Sequence, residues 1–203
     1  MTRPRLNPWG EPRRARVGLL GGSFNPAHDG HRHIALLALR LLGLDEVWLL
    51  VSPQNPLKPV SGMAPLPERL ASAETVCAGH PRLRPTAIET GLGTRYTADT
   101  LEMLRQRFPR IRFVWLMGAD NLAGFHRWAR WESIFQSVPV AILARGPYSA
   151  RNLGTRAAHR FAHHRLPSSR ARFLWQAQPP AWAFLHIRRH AASSTAIRNR
   201  RQP

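Results

Sequence analysis

Gly21-Gly22-Ser23-Phe24-Asn25-Pro26-Ala27-His28-Asp29-Gly30-His31 is the stretch on which the reading of this chain turns. An apolar run over 17–20 precedes it and reads as a buried strand. The nearly all-apolar segment 34–42 follows and reads as a buried helix. A strand, a glycine-rich turn and a helix start together form an anion site: glycines let backbone approach a ligand, and the first N–H groups of the helix point at negative charge. His28 and His31, three residues apart, fall on one side of the first helical turn. Two imidazoles there can donate hydrogen bonds to phosphoryl oxygens. Phosphoryl and nucleotidyl transfer asks mainly for positioning and charge stabilisation, so no protein nucleophile is needed. Two plainer readings compete. The histidines could be surface residues beside a turn. They could also be half of a zinc site, but two ligands are too few and the chain has one cysteine, Cys77. The dinucleotide fingerprint and the P-loop pattern are both absent from this turn.

Outward from that turn, the chain alternates apolar runs with amphipathic ones. Strands are expected at 16–20, 46–52, 82–89, 112–117, 139–144 and 182–187, and helices at about 34–42, 67–78 and 96–107. Gly43 suits a helix stop. Leu122, Phe125, Trp128, Trp131 and Phe135 recur at helical intervals and predict one amphipathic helix after the fourth strand. Strand, helix and strand in that order give a right-handed parallel crossover. The fold expected is α/β: a Rossmann-like three-layer sandwich on a parallel sheet, with a small C-terminal helical region. Residues 1–15, rich in proline and arginine and without period, are expected to be a flexible basic tail on a single domain spanning 16–203.

The 203 residues suffice for one α/β domain with a sizeable core. Thirty basic residues against eleven acidic ones give a formal charge of +19, which favours anionic ligands. Nearly all of that charge is arginine, as Lys58 is the one lysine, and genome base composition can produce such a bias unaided. No acidic residue follows Glu132, so the C-terminal third is strongly cationic. Over 146–180 a solvated basic face is favoured over a nucleic-acid surface, because planar aromatics are sparse among its arginines. A single cysteine excludes an internal disulfide and fits a reducing compartment. The start lacks an apolar signal core and no apolar run approaches 18 residues, so neither secretion nor a membrane span is expected; the location expected is cytoplasmic.

Several residues sit where a ligand would lie in such a fold, each with a structural alternative. Lys58, in the proline-rich loop 53–67 after the second strand, is either a solvated lysine or a phosphate contact. Thr97 is either a helix N-cap or a ligand hydroxyl. Gly118 and Asp120 end the fourth strand, a plausible place for a nucleoside, and Trp128 is either core or an aromatic platform. Ser193, Ser194 and Thr195, with Arg198 one turn later, are either an N-cap or a second anion cradle.

The first stretch resembles the H-x-G-H signature of the adenylyl- and cytidylyltransferases. Together with Tyr96-Thr97, Met117-Gly118-Ala119-Asp120-Asn121 with Phe125-His126-Arg127-Trp128, and Ser193-Ser194-Thr195-Ala196-Ile197-Arg198, it is most similar to the bacterial nicotinate-nucleotide adenylyltransferases. The resemblance spans roughly 17–200 in four ordered blocks. Ser23 and Asn25 stand where many members have threonine and aspartate, and Ala192 where the family has isoleucine.

That resemblance implies adenylyl transfer from ATP to nicotinate mononucleotide, giving deamido-NAD and pyrophosphate, with Mg²⁺ entering on ATP and no protein metal site. It implies His28 and His31 as catalytic residues. It implies Gly21, Gly22, Ser23, Phe24, Gly118, Asp120, Ser194, Thr195 and Arg198 around ATP. Asn25, Lys58, Thr97, Trp128 and the Ala129 N–H would meet the mononucleotide. Pantetheine-phosphate adenylyltransferase and glycerol-phosphate cytidylyltransferase share the first block, but the Thr97 and Gly118–Trp128 blocks speak against them. A basic nucleic-acid-binding protein would leave the histidines without a role. Oligomeric state and the preference between acid and amide mononucleotides are not legible in the sequence.

Overall fold

The computed structural model describes residues 6–54, 61–145, 153–188 and 194–199. Seven parallel strands form one sheet: β1 (Ala15–Gly22), β2 (Glu46–Val51), β3 (Leu83–Thr86), β4 (Ile111–Gly118), β5 (Val140–Arg145), β6 (Arg165–Leu166) and β7 (Trp182–Ile187), in the order β3-β2-β1-β4-β5-β7-β6. The expected α/β architecture is present.

The strands alternate between two cores. Val17 and Leu19, Trp48 and Leu50, Phe113 and Trp115 face one side. Leu20, Val47 and Leu49, Val114 and Leu116 face the other. A period of two with both faces apolar is what a parallel sheet sandwiched by helices demands, and every residue of β2 is buried. On the first face lie α4 (Thr97–Arg107), α5 (Ala119–Gly124), α6 (Trp131–Ser137) and α7 (Arg156–Arg160). On the second lie α1 (Asp29–Leu41), α2 (Leu66–Cys77) and a 3-10 stretch, Ser168–Gln176. The short α3 (Ile88–Leu92) links β3 to α4, and α8 (Ser194–Asn199) comes last.

The structure departs from expectation in four places. Residues 6–14, expected within a flexible tail, pack onto the sheet: Leu6 is buried in the first-face core, the Arg107 guanidinium covers the Trp9 ring at 4.7 Å, and Arg13 bonds Glu46 at 2.8 Å. β3 ends at Thr86 and α3 begins at Ile88, which carries Glu89 out of the expected strand. The single amphipathic helix expected after β4 is three pieces, α5, a 3-10 turn over Phe125–Arg127, and α6. Trp128 is extended (ψ 140) and Arg130 left-handed (φ 50), which breaks the axis while leaving Phe125 and Phe135 stacked edge-on at 5.6 Å. The cationic segment also supplies a two-residue strand, β6, beyond the expected helices.

The chain builds β2 and β3 on one side of β1 and β4 on the other. The crevice at such a reversal, beyond the carboxyl ends of the strands, is where open α/β sheets take ligands.

Candidate active site

A cavity of about 1230 Å³ opens at that reversal. It exceeds the ~300–1,000 Å³ usual for one small ligand, as a site for two nucleotides would. Its floor comes from the ends of the strands: Gly21 and Gly22 of β1, Leu50 of β2, Trp115 and Met117 of β4. Gly21 is glycine for a steric reason, since a Cβ there would overlap the Trp115 ring. Phe24, buried, sits at φ 48, a left-handed conformation that costs a bulky residue about 1–3 kcal/mol. That turn lays the Phe24 ring against His31, with centroids 4.8 Å apart.

The two histidines form the cap of α1. His28 is its N-cap residue and accepts the Gly30 N–H at Nδ1 (3.1 Å). His31 Nδ1 accepts the His28 N–H (3.2 Å). A ring that accepts at Nδ1 carries its proton on Nε2 when neutral. The capping bonds therefore fix the tautomer that presents an Nε2–H donor. The rings lie 3.8 Å apart and tilted by 31°, with His28 buried and His31 lining the cavity.

The far wall is α8. Ser194 Oγ donates to the Pro26 carbonyl (3.0 Å), and the Arg198 guanidinium donates to the Asn25 carbonyl (2.6 Å). Chain separated by more than 160 residues is thus tied to the turn that carries the histidines, and Ser194 and Arg198 line the same cavity as His31. Gly118 and Asp120, at the junction of β4 and α5, line it too, as do Thr97, Trp128 and Ala129. Thr97 is the first residue of α4 and Tyr96 its N-cap, with no side-chain capping bond, so the capping reading of Thr97 fails. Trp128 packs on Phe125 at 5.0 Å while remaining partly exposed, so it serves core and cavity together. Asn25 sits on the rim with its amide engaged: Nδ2 donates to the Gly62 carbonyl, and Oδ1 accepts the Ala64 N–H. Lys58 and the side chain of Thr195 lie outside the described residues.

Sequence reading missed three residues. Arg69 of α2 is 2% exposed and donates to four backbone carbonyls, those of Ser23, Ser52, Pro53 and Ala64, at 2.7–2.8 Å. It clamps the glycine turn to the end of β2, and burial lowers its pKa. Trp115 and Glu89 also line the cavity, both buried. No local pattern marks any of the three, because each acts through neighbours distant in sequence. Four buried side-chain polar atoms lack a hydrogen-bond partner among the described residues, and three of them, Ser23 Oγ, Ser52 Oγ and Trp115 Nε1, belong to cavity residues. Buried polar groups are nearly always paired, so their gathering here marks a place where ligand or water completes the bonding.

Among known proteins, the cytidylyltransferase-like family model matches residues 19–200. A probable nicotinate-nucleotide adenylyltransferase of Methylorubrum extorquens is 52% identical over 185 residues, 91% of this chain and all of that protein. One of Cereibacter sphaeroides is 55% identical over 182 residues, 90% of this chain and 96% of its own length. Among solved structures, the fold is shared with the Plasmodium falciparum nicotinic acid mononucleotide adenylyltransferase complexed with NaAD (TM-score 0.66, 14% identity, covering 92% of this chain and 83% of that one). The chain belongs to the cytidylyltransferase-like family and, within it, to the nicotinate-nucleotide adenylyltransferases.

Proposed function

We propose that this protein transfers the adenylyl group of ATP to nicotinate mononucleotide, releasing pyrophosphate and forming deamido-NAD in NAD biosynthesis. One observation carries the reading: His31, capped together with the buried His28, lines the same cavity as Arg198, Thr97 and Trp128. A phosphate oxygen of the mononucleotide attacks the α-phosphorus of ATP. A new P–O bond forms there as the bond to the β-phosphate breaks, and pyrophosphate leaves with the electron pair. No covalent enzyme intermediate is required.

His28 and His31 donate from Nε2 to phosphate oxygens whose charge grows in the transition state. Ser194 and Arg198 hold the triphosphate beside them, with Gly118 and Asp120 next to the nucleoside. Trp128 offers a ring face to the pyridine, and the Ala129 N–H and Thr97 meet its carboxylate. Lys58 is proposed as a contact to the mononucleotide phosphate.

Mg²⁺ would enter on the triphosphate and neutralise charge on its oxygens. The carboxylates of Asp120 and Glu68 line the cavity and would offer the ion oxygen donors, directly or through its waters. Among the described residues no helix is long and apolar enough to cross a membrane.

A pyrophosphate-release assay with ATP and four acceptors tests the reading: nicotinate mononucleotide, nicotinamide mononucleotide, phosphopantetheine and glycerol phosphate. Turnover with a pyridine mononucleotide, lost on chelating Mg²⁺ and restored by adding it back, is expected. Turnover with phosphopantetheine or glycerol phosphate alone would overturn it, as would salt-steep DNA binding without turnover.

A further inference from the structure

One buried carboxyl of the cavity has no task in adenylyl transfer. Glu89, on α3, is 7% exposed and lines the cavity. Thr100 Oγ1 donates to its Oε1 at 2.9 Å and also contacts the Tyr96 carbonyl at 3.2 Å. Thr94 Oγ1 lies 2.9 Å from Thr100 Oγ1, and the Glu89 carbonyl accepts the Thr94 N–H at 3.1 Å. Both ends of Glu89 thus fasten the 93–96 turn that delivers Thr97 to the cavity. Glu89 lines the same cavity as Thr97, Trp128 and Ala129, the residues that in the adenylyltransferase reading meet the acceptor's ring and its substituent.

We propose that Glu89 is a specificity-determining residue for that substituent: in its neutral form it admits a ring carboxylate, and in its ionised form it favours a carboxamide. This rests on the function proposed above and adds a residue and a charge state to it. Like charges repel strongly in a partly buried site. A second anion several ångströms from a bound carboxylate costs a factor of ~10–100 in binding, whereas a neutral carboxyl can donate a hydrogen bond to it.

The surroundings of Glu89 leave its charge uncompensated. α3 has no other ionisable side chain. The 93–96 turn contributes Tyr96 and Arg95, both exposed, the guanidinium lying over the Tyr96 ring. On α4, Asp99 pairs with Arg130, Glu102 and Arg105 are exposed, and Arg107 covers Trp9. On β2, Glu46 is held by Arg13 at the other end of the strand. Burial accordingly raises the Glu89 carboxyl to about 7, against the pull of the Thr100 hydrogen bond. The charge state therefore changes near neutrality.

The experiment is the ratio of kcat/KM for nicotinate mononucleotide to that for nicotinamide mononucleotide, measured from about pH 5.5 to about pH 8.5. Both acceptors carry the same ribose phosphate and cationic ring, so titration of shared groups cancels in the ratio. The ratio is expected to fall ~10-fold or more through neutrality in the wild type, and to stay at its acid-side value in Glu89→Gln. A flat wild-type ratio, or a Gln variant that tracks the wild type, overturns the proposal while leaving adenylyl transfer intact. Should Glu89→Gln not fold, Thr100→Val supplies the test. Losing a hydrogen bond to the ionised form must move the midpoint to higher pH, and an unmoved midpoint counts against the proposal. Failure to adenylylate either mononucleotide defeats the functional reading itself, and this inference with it.

Discussion

His31 has two roles on one ring. Its Nδ1 closes the cap of α1, and in the proposed mechanism the proton this leaves on Nε2 is the one offered to phosphate. Removing the ring loses a transition-state contact worth about 2.7–4 kcal/mol, and His31→Ala should lower kcat ~100–1,000-fold at saturating substrate. Near-normal turnover in that variant would remove His31 from the mechanism. Gly21 makes a different demand. A methyl group there meets the Trp115 ring, part of the buried cavity floor, so Gly21→Ala should destabilise the fold by about 1–3 kcal/mol, read from urea unfolding midpoints. Unchanged unfolding would mean that the ring moves aside without penalty. The histidines were legible in sequence because cap, glycines and phosphate donors are all local to eleven residues. Arg69 and Glu89 were not. An arginine that holds four carbonyls from three segments looks like an ordinary helix residue until the chain is folded, and a glutamate bonded to a threonine eleven positions on looks like the end of a strand.

The element with the greatest leverage on the site is α8, only six residues long. It adds no residue to the sheet, and its recorded ties to the histidine turn are the Ser194 and Arg198 bonds to backbone carbonyls at Pro26 and Asn25. A charged donor contributes about 1.5–3 kcal/mol to such a contact. Arg198→Ala should therefore raise the KM for ATP by ~10–100-fold, with a smaller change in the KM for the mononucleotide. Equal rises in both would show that the helix orders the whole cavity rather than holding the triphosphate. Element legibility tracked how far each signal was local. β2 and β4 were evident from unbroken apolar runs. The segment after β4 was not, because Leu122, Phe125 and Phe135 keep helical spacing whether or not the axis breaks at Arg130, where neither glycine nor proline gives warning. The break is set by what the side chains pack against: Trp128 meets the cavity while Trp131 turns to Phe161 at 6.0 Å. The packing of 6–14 was hidden for the same reason, since one leucine and one tryptophan among prolines give no period.

At the scale of the whole molecule, stability is bounded by carboxylates shifted in opposite directions. The Arg16 hydrogen bond lowers Asp45. Burial pushes Glu46 up, but hydrogen bonds from Arg13 and Trp48 outweigh it and leave it below its ordinary value. A lowered carboxylate contributes stability above its unfolded pKa, and that contribution is lost as pH falls through the folded value. Glu89 does the reverse. Raised from 4.5 to about 7, it contributes fully below its unfolded pKa, and the contribution is lost as pH rises through about 7. A shift of that size corresponds to at most about 3 kcal/mol. Stability should therefore peak under mildly acidic conditions, with Asp45 and Glu46 ionised and Glu89 still neutral. Thermal unfolding at about pH 4, about pH 5.5 and about pH 8 is expected to give the highest Tm at the middle value. Glu89→Gln should flatten the alkaline side alone, because it leaves the Arg13–Glu46 and Arg16–Asp45 pairs untouched. The comparison of wild type with variant, rather than the wild-type curve by itself, assigns the alkaline loss. An alkaline fall in Tm that survives intact in the variant would place the cause elsewhere and would leave Glu89 ionised throughout.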